Sequence, residues 1–120
     1  ALEGYDITYP VVFDWETIGS SNARTNDIDN QTLNDCAIAF CERVAEEGYT
    51  PMVYFNLTVG YLMYDLSQLL DYDFWFAQYP AADAMYPTMY YHYDIWQYTS
   101  SGSVPGIDGD VDMNIAWKRW

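Results

Sequence analysis

The chain is short of positive charge. Four Lys and Arg stand against 18 Asp and Glu, for a formal net charge of −14. Nucleic-acid recognition needs basic patches that neutralise phosphates, and anionic membrane surfaces are held by clustered Lys and Arg. The balance argues against both partners. It fits a chain kept apart by self-repulsion, with a neutral or cationic polymer as partner. Cysteine is also scarce. Cys36 and Cys41 are the two present, and they sit five apart in a stretch of helical periodicity. That spacing sets their Cα atoms roughly 8 Å apart, beyond a disulfide. Both are expected to be reduced, buried, small apolar residues. With no paired Cys or His elsewhere, no metal site is expected. His92, the lone histidine, has no Ser or Cys nucleophile motif beside it, so there is no triad, and a structural or surface role is expected. No apolar run reaches the length of a membrane span. Ala1-Leu2-Glu3-Gly4 lacks the basic start and apolar core of a signal peptide. No glycine-rich phosphate loop is present.

The length and the 51% hydrophobic content are enough for one domain with a real core. Aromatic residues make up 19%, including 13 Tyr and 5 Trp. Most are expected to fill a β-rich core and its surface. Flat rings also suit clefts that cover the apolar faces of pyranose sugars.

The pattern along the chain reads as βαβαβ followed by two strands without helices between. Residues 9–15 predict a strand, and residues 17–30 a polar loop rich in turn formers such as Ser20, Asn22 and Asp27. Leu33, Ala37, Phe40, Val44 and Ala45 mark a helical stripe. Asp29 or Asn30 is placed to cap it, and Gly48 to stop it. Residues 51–55 predict a second strand, Gly60 to Leu70 a second helix, and residues 73–79 a third strand ended by Pro80. Residues 80–89 have no helical period. Tyr90 to Tyr98 predicts a fourth strand, Thr99 to Gly109 a turn-rich loop, and Val111 to Ala116 a last strand. Parallel pairing with right-handed crossovers is expected for the first part. Five strands and two helices do not close a barrel of strands and helices, which needs roughly 200 residues or more.

The informative feature is Asp14-Trp15-Glu16, which follows the apolar run Tyr9-Pro10-Val11-Val12-Phe13. Continuous Val and Phe read as a strand buried on both faces. Residues i and i+2 of a strand point the same way, so Asp14 and Glu16 share a face and Trp15 opposes them. Two carboxylates where a parallel strand runs out are the usual equipment for breaking a glycosidic bond. Solvated acids at a strand end are the plain alternative.

Five segments together resemble the family-25 glycoside hydrolases, the bacterial and phage lysozymes that act as N-acetylmuramidases. They are Tyr9 to Glu16; Gly48-Tyr49-Thr50-Pro51-Met52-Val53-Tyr54-Phe55-Asn56; Phe74-Trp75-Phe76-Ala77-Gln78-Tyr79; Ile95 to Gly102; and Val104 to Asn114. The resemblance implies an α/β fold: the carboxyl-terminal part of an irregular TIM-like β/α barrel, with its opening strands absent, and residues 1–120 as a partial catalytic domain. It implies hydrolysis of the β-1,4 bond between N-acetylmuramic acid and N-acetylglucosamine in peptidoglycan, outside the cell or at its wall, without metal or cofactor. Family members carry a further active-site Asp on the first strand, which has no counterpart before Asp14. A non-catalytic glycan-binding remnant, or a fragment completed by an amino-terminal segment or a second chain, is therefore the alternative.

By the same resemblance Glu16 is the general acid, its pKa raised by a neighbouring charge and desolvation. Asp14 is the ionised partner that supports the transition state or orients the C2 amide of the sugar, and Asp112 is a third carboxylate. Trp75 and Tyr54 are candidates for sugar contacts, with barrel packing the alternative for each. Gln97 is a candidate hydrogen-bonding residue for a substrate hydroxyl or amide, or else a buried amide serving backbone groups. Asp108, Asp110, Asp112 and Asn114 alternate like a calcium loop, but Met113 and Arg119 occupy the positions that require Gly and an acid, so calcium is not expected. Asn30-Gln31-Thr32 and Asn56-Leu57-Thr58 match glycosylation triplets, which arise often by chance.

Overall fold

The computed structural model describes residues 1–19, 21–23, 25–80 and 87–120. Part of the helix-free stretch at 80–89, and Ser20 of the first loop, lie outside these residues. The element order is β1 (Val11–Asp14), α1 (Asn30–Glu46), β2 (Pro51–Asn56), α2 (Leu57–Leu62), a 3-10 turn (Leu66–Gln68), β3 (Asp73–Ala77), β4 (Ile95–Gly102) and β5 (Val111–Ala116). The strands form one five-stranded sheet in sequential order. β1, β2, β3 and β4 are mutually parallel neighbours. β5 runs antiparallel to β4. The result is a mixed, mostly parallel α/β sheet, as expected for part of a β/α barrel.

Helix α1 starts where its cap chemistry dictates. Asp29 has extended backbone, and its carboxylate accepts from the Thr32 amide at 2.9 Å and the Thr32 hydroxyl at 2.7 Å. These bonds hold its carboxyl below the ordinary value. Gly48, at φ +86°, ends the helix by donating its amide to the Ala45 carbonyl. Leu33, Ala37 and Cys41 are wholly buried, one per helical turn, whereas Ala45 is exposed. Cys36 is also exposed, which corrects the expectation of two buried thiols. Position 36 falls off the 33-37-41 stripe, and hydrophobicity alone did not register that. Burial pushes the Cys41 thiol up to about 12.

The sheet has two unlike faces. Phe13 and Trp15, Val53 and Phe55, Phe74 and Phe76, and Trp96 point toward α1 and make the core. Phe55 meets Phe74 edge-on at 5.1 Å and Phe76 at 5.9 Å. The alternate residues occupy the opposite face. Cross-strand register places Asp14 beside Tyr54, Tyr54 beside Trp75, Ala77 beside Gln97, and Gln97 beside Asn114. At the amino ends of the strands, Lys118 bonds Asp73 at 2.8 Å and reaches Asp94 at 3.4 Å, and the Trp120 indole donates to Asp73 at 2.7 Å.

Several expected boundaries move. The helix expected over Gly60 to Leu70 is two short pieces instead. Asn56 caps α2 early by accepting from Val59 at 2.9 Å, and Asp65 captures the Ser67 amide and starts the 3-10 turn. Buried Asn34 ties that turn to α1, accepting from the Asp65 amide at 3.1 Å and donating to Gln68 at 3.0 Å. The fourth strand begins at Ile95, not Tyr90, and runs on to Gly102. Thr99, Ser100 and Ser101 read as turn formers, but pairing with β5 holds them in a strand, with register shifts on either side of Thr99. β1 and β3 also contract, to Val11–Asp14 and Asp73–Ala77.

Gly60 marks where α2 seats on the core. A Cβ there would lie 2.6 Å from Phe55 Cδ2, and Phe55 is 1% exposed, with no room to retreat. Alanine gains about 1 kcal/mol of helix propensity over glycine, and overpacking costs about 1–3 kcal/mol. Gly60→Ala is therefore expected to lower the urea midpoint, with a net loss of up to about 2 kcal/mol. An unchanged midpoint would show that α2 lifts off without cost.

Candidate active site

The carboxyl ends of β1, β2 and β3 open onto a cleft on the sheet face turned away from α1. A cavity of about 250 Å³ there is lined by Val12, Asp14, Glu16, Tyr54, Trp75, Gln97 and Asp112. Every residue singled out from the sequence as catalytic or substrate-binding is in that lining. Asp14 is the last residue of β1, and Glu16 lies two residues on, past the strand. Buried Trp15 points into the core between them, so the alternation expected of the acid pair persists beyond the last strand residue. Asp112 comes from β5, on the far side of the sheet. A second cavity of about 350 Å³ adjoins the first and shares Glu16 and Tyr54 with it. Asn56, Leu57, Thr58, Ala77, Gln78 and Tyr79 complete its lining.

The cleft floor is held by side-chain bonds between strands. Tyr54 on β2 packs edge-on against Trp75 on β3, with ring centroids 5.3 Å apart. The Trp75 indole donates to Asn114 Oδ1 on β5 at 2.8 Å. Gln97 on β4 is 4% exposed, and its Oε1 accepts from the Tyr54 hydroxyl at 3.0 Å and the Tyr79 hydroxyl at 2.6 Å. Gln97 is thus a buried amide served by tyrosines rather than by backbone groups. Trp75 and Tyr54 pack against each other and also line the cavity. Tyr79 and Asn114 were not among the expected site residues. Their signal was the two-residue alternation Trp75-x-Ala77-x-Tyr79 and Asp112-x-Asn114.

Electrostatics link these groups. Burial raises the Tyr54 pKa well above that of an ordinary phenol, and the charges of Tyr79, Glu16, Asp14 and Asp112 add to the effect. Tyr54 therefore stays a neutral donor. Partial desolvation raises the Asp14 carboxyl above its ordinary value; the strand-end pair thus carries a desolvated acid at Asp14. Among the described residues, no group of three or more His, Cys, Asp or Glu is arranged to hold a metal ion. His92 lines neither cavity; it stacks on Phe74 at 4.6 Å and bonds the Tyr72 carbonyl at 3.1 Å.

The family model described as glycosyl hydrolases family 25 matches residues 1–107. The chain belongs to that family. Among solved structures, the CTP1L endolysin matches with a TM-score of 0.57 and 30% identity, over 69% of this chain and 29% of that one. The Clostridium perfringens spore cortex lytic enzyme SleM matches with a TM-score of 0.61 and 22% identity, over 76% of this chain and 33% of that one. The family-25 chain thus spans about a third of the length of the solved structures it matches. No curated protein matches it significantly. No helix among the described residues is long and apolar enough to cross a membrane.

The raised Asp14 pKa has a consequence for stability. Above the carboxylate range Asp14 is ionised in the unfolded chain, and the folded cleft penalises that charge. The penalty is full above the folded pKa and vanishes below the unfolded pKa, where both states hold the proton. Asp14→Asn is therefore expected to melt at or above the parent at pH 7, and to lose any advantage at about pH 3, below the usual Asp value. Thermal unfolding at both pH values checks this. A lower melting temperature for the variant at pH 7 would mean that the charge stabilises the fold.

Proposed function

We propose that this chain carries the cleaving cleft of a peptidoglycan hydrolase that breaks the β-1,4 bond between N-acetylmuramic acid and N-acetylglucosamine. The observation that carries the proposal is the meeting of Asp14, Glu16, Asp112, Tyr54, Trp75 and Gln97 around one cavity at the carboxyl ends of parallel strands. Such ends are where open and closed parallel sheets place their chemistry. Membership of family 25 supports the reaction class.

In this reading Glu16 is the general acid. It lines both cavities, so it stands where the leaving oxygen would lie if the two sugars flanking the bond occupied the two spaces. Asp14 is the anionic partner. A desolvated carboxylate is a strong hydrogen-bond acceptor, which suits it to orient the C2 acetamido group or to stabilise positive charge at the anomeric carbon. Asp112 adds negative charge from the opposite wall. Trp75 and Tyr54 offer ring surface to the sugar. The substrate is the glycan strand of the wall, so the site of action is extracellular or at the wall. Residues 1–120 would be part of a catalytic domain.

A second reading is glycan binding without turnover. It draws on the position of the acid pair at the carboxyl end of β1, a strand with a neighbour on one side only among the described residues.

Incubation of the chain and of Glu16→Gln with purified peptidoglycan, followed by assay of new reducing ends, separates these readings. Release by the parent and a fall of about 100-fold or more in the variant is expected for loss of a general acid. Equal release by both would remove Glu16 from the mechanism. Pelleting with the wall but no release by the parent would favour binding alone.

A further inference from the structure

Gln97 is placed to do more than line the cleft. Its Oε1 already accepts from two hydroxyls, Tyr54 at 3.0 Å and Tyr79 at 2.6 Å, which uses both lone pairs of an amide oxygen. Its Nε2 carries two N–H groups and makes no hydrogen bond among the described residues. The buried polar side-chain atoms without a partner are Trp15 Nε1, Thr25 Oγ1 and Tyr64 Oη. Gln97 Nε2 is not one of them, so it keeps access to the cavity that Gln97 lines with Asp14, Glu16 and Asp112. The reversed amide would turn its carbonyl oxygen toward a cavity that Asp14, Glu16 and Asp112 also line, where negative charge disfavours it.

We propose that Gln97 is a substrate-positioning donor, locked by Tyr54 and Tyr79 so that its N–H groups face a neutral oxygen acceptor on the sugar, a hydroxyl or an acetamido carbonyl. The inference rests on the reading of the cleft as a glycan site. Its chemical logic is complementarity. Ionised Asp14 and Asp112 only accept hydrogen bonds, and the proton of Glu16 is directed at the leaving oxygen, so the other acceptor oxygens of the glycan are left without a donor. Gln97 supplies the missing donor. Tyr79 is a positioning residue in this scheme, acting through the amide. Its place at the neighbouring cavity couples the two spaces on either side of Glu16.

The test is calorimetric titration of the full chain with a soluble alternating N-acetylglucosamine–N-acetylmuramic acid tetrasaccharide, beside side-chain amide NMR of the same samples. Gln97→Glu keeps an acceptor for both tyrosine hydroxyls but removes the donor. It is expected to weaken binding about tenfold, the scale of one hydrogen bond left unmade. Tyr79→Phe is expected to weaken binding about threefold and to shift the Gln97 amide resonances before any sugar is added. In the double variant the Tyr79 change should cost nothing further, because its route is through the lost amide. In the parent, the Gln97 amide resonances should move on titration, a response that a merely structural amide would not give. Parent-like binding by Gln97→Glu, or Gln97 resonances unmoved by a sugar that binds, would overturn the inference and leave the glycan site standing. No binding by the parent would overturn both. If Gln97→Glu does not fold, Tyr79→Phe and the parent resonances decide.

Discussion

A strand has two faces, and in this sheet both are committed. On one, Val53, Phe55, Phe74, Phe76 and Trp96 are sealed against α1 and the chain that follows β2. On the other, Asp14, Tyr54, Trp75 and Gln97 surround a polar cavity. Every residue in the first set adjoins in sequence a residue that faces the other way, toward the cleft. Core packing therefore fixes the cleft geometry: a strand whose Phe is pinned cannot roll its neighbouring acid or tyrosine out of place.

What the apolar face does by packing, the cleft face does by hydrogen bonds. Tyr54, Gln97 and Tyr79 join β2, β4 and the end of β3 through one amide oxygen, and Trp75 and Asn114 join β3 to β5. In a half-buried setting such bonds matter chiefly through the cost of leaving one unmade. They hold the cleft floor in place beside the Tyr54–Trp75 ring contact. Asn34 does the same on the helix side, where it binds the backbone of the 3-10 turn.

The sequence was most legible where periodicity and end signals agree. The α1 cap at Asp29, its stop at Gly48, the bounds of β5 and the convergence of the acid pair with Tyr54, Trp75, Gln97 and Asp112 followed from alternation, turn chemistry and a family resemblance. Legibility failed where tertiary pairing overrode local preference. Thr99 to Ser101 belongs to a strand because β5 lies beside it. Tyr90 to Asp94, aromatic and strand-like in composition, stays outside the sheet until Asp94 bonds the Phe74 backbone. Tyr79 hid in plain alternation, because nothing local says that its hydroxyl reaches an amide on another strand.

The register shifts in the β4–β5 pair lie between Gln97 and Gly102, beyond the point where β4 has delivered Gln97 to the cleft. They act as slack in a rope already tied at its working end. Between Gln97 and Gly102 the partner strand advances only from Asn114 to Val111, so the surplus chain is gathered on β4 while β5 keeps its strict alternation. A change in the hairpin beyond Gln97 therefore leaves Gln97 paired with Asn114 and the cleft floor in register. Within Val111–Ala116 no such freedom exists, since a single lost residue would turn Asp112 and Asn114 to the opposite face together.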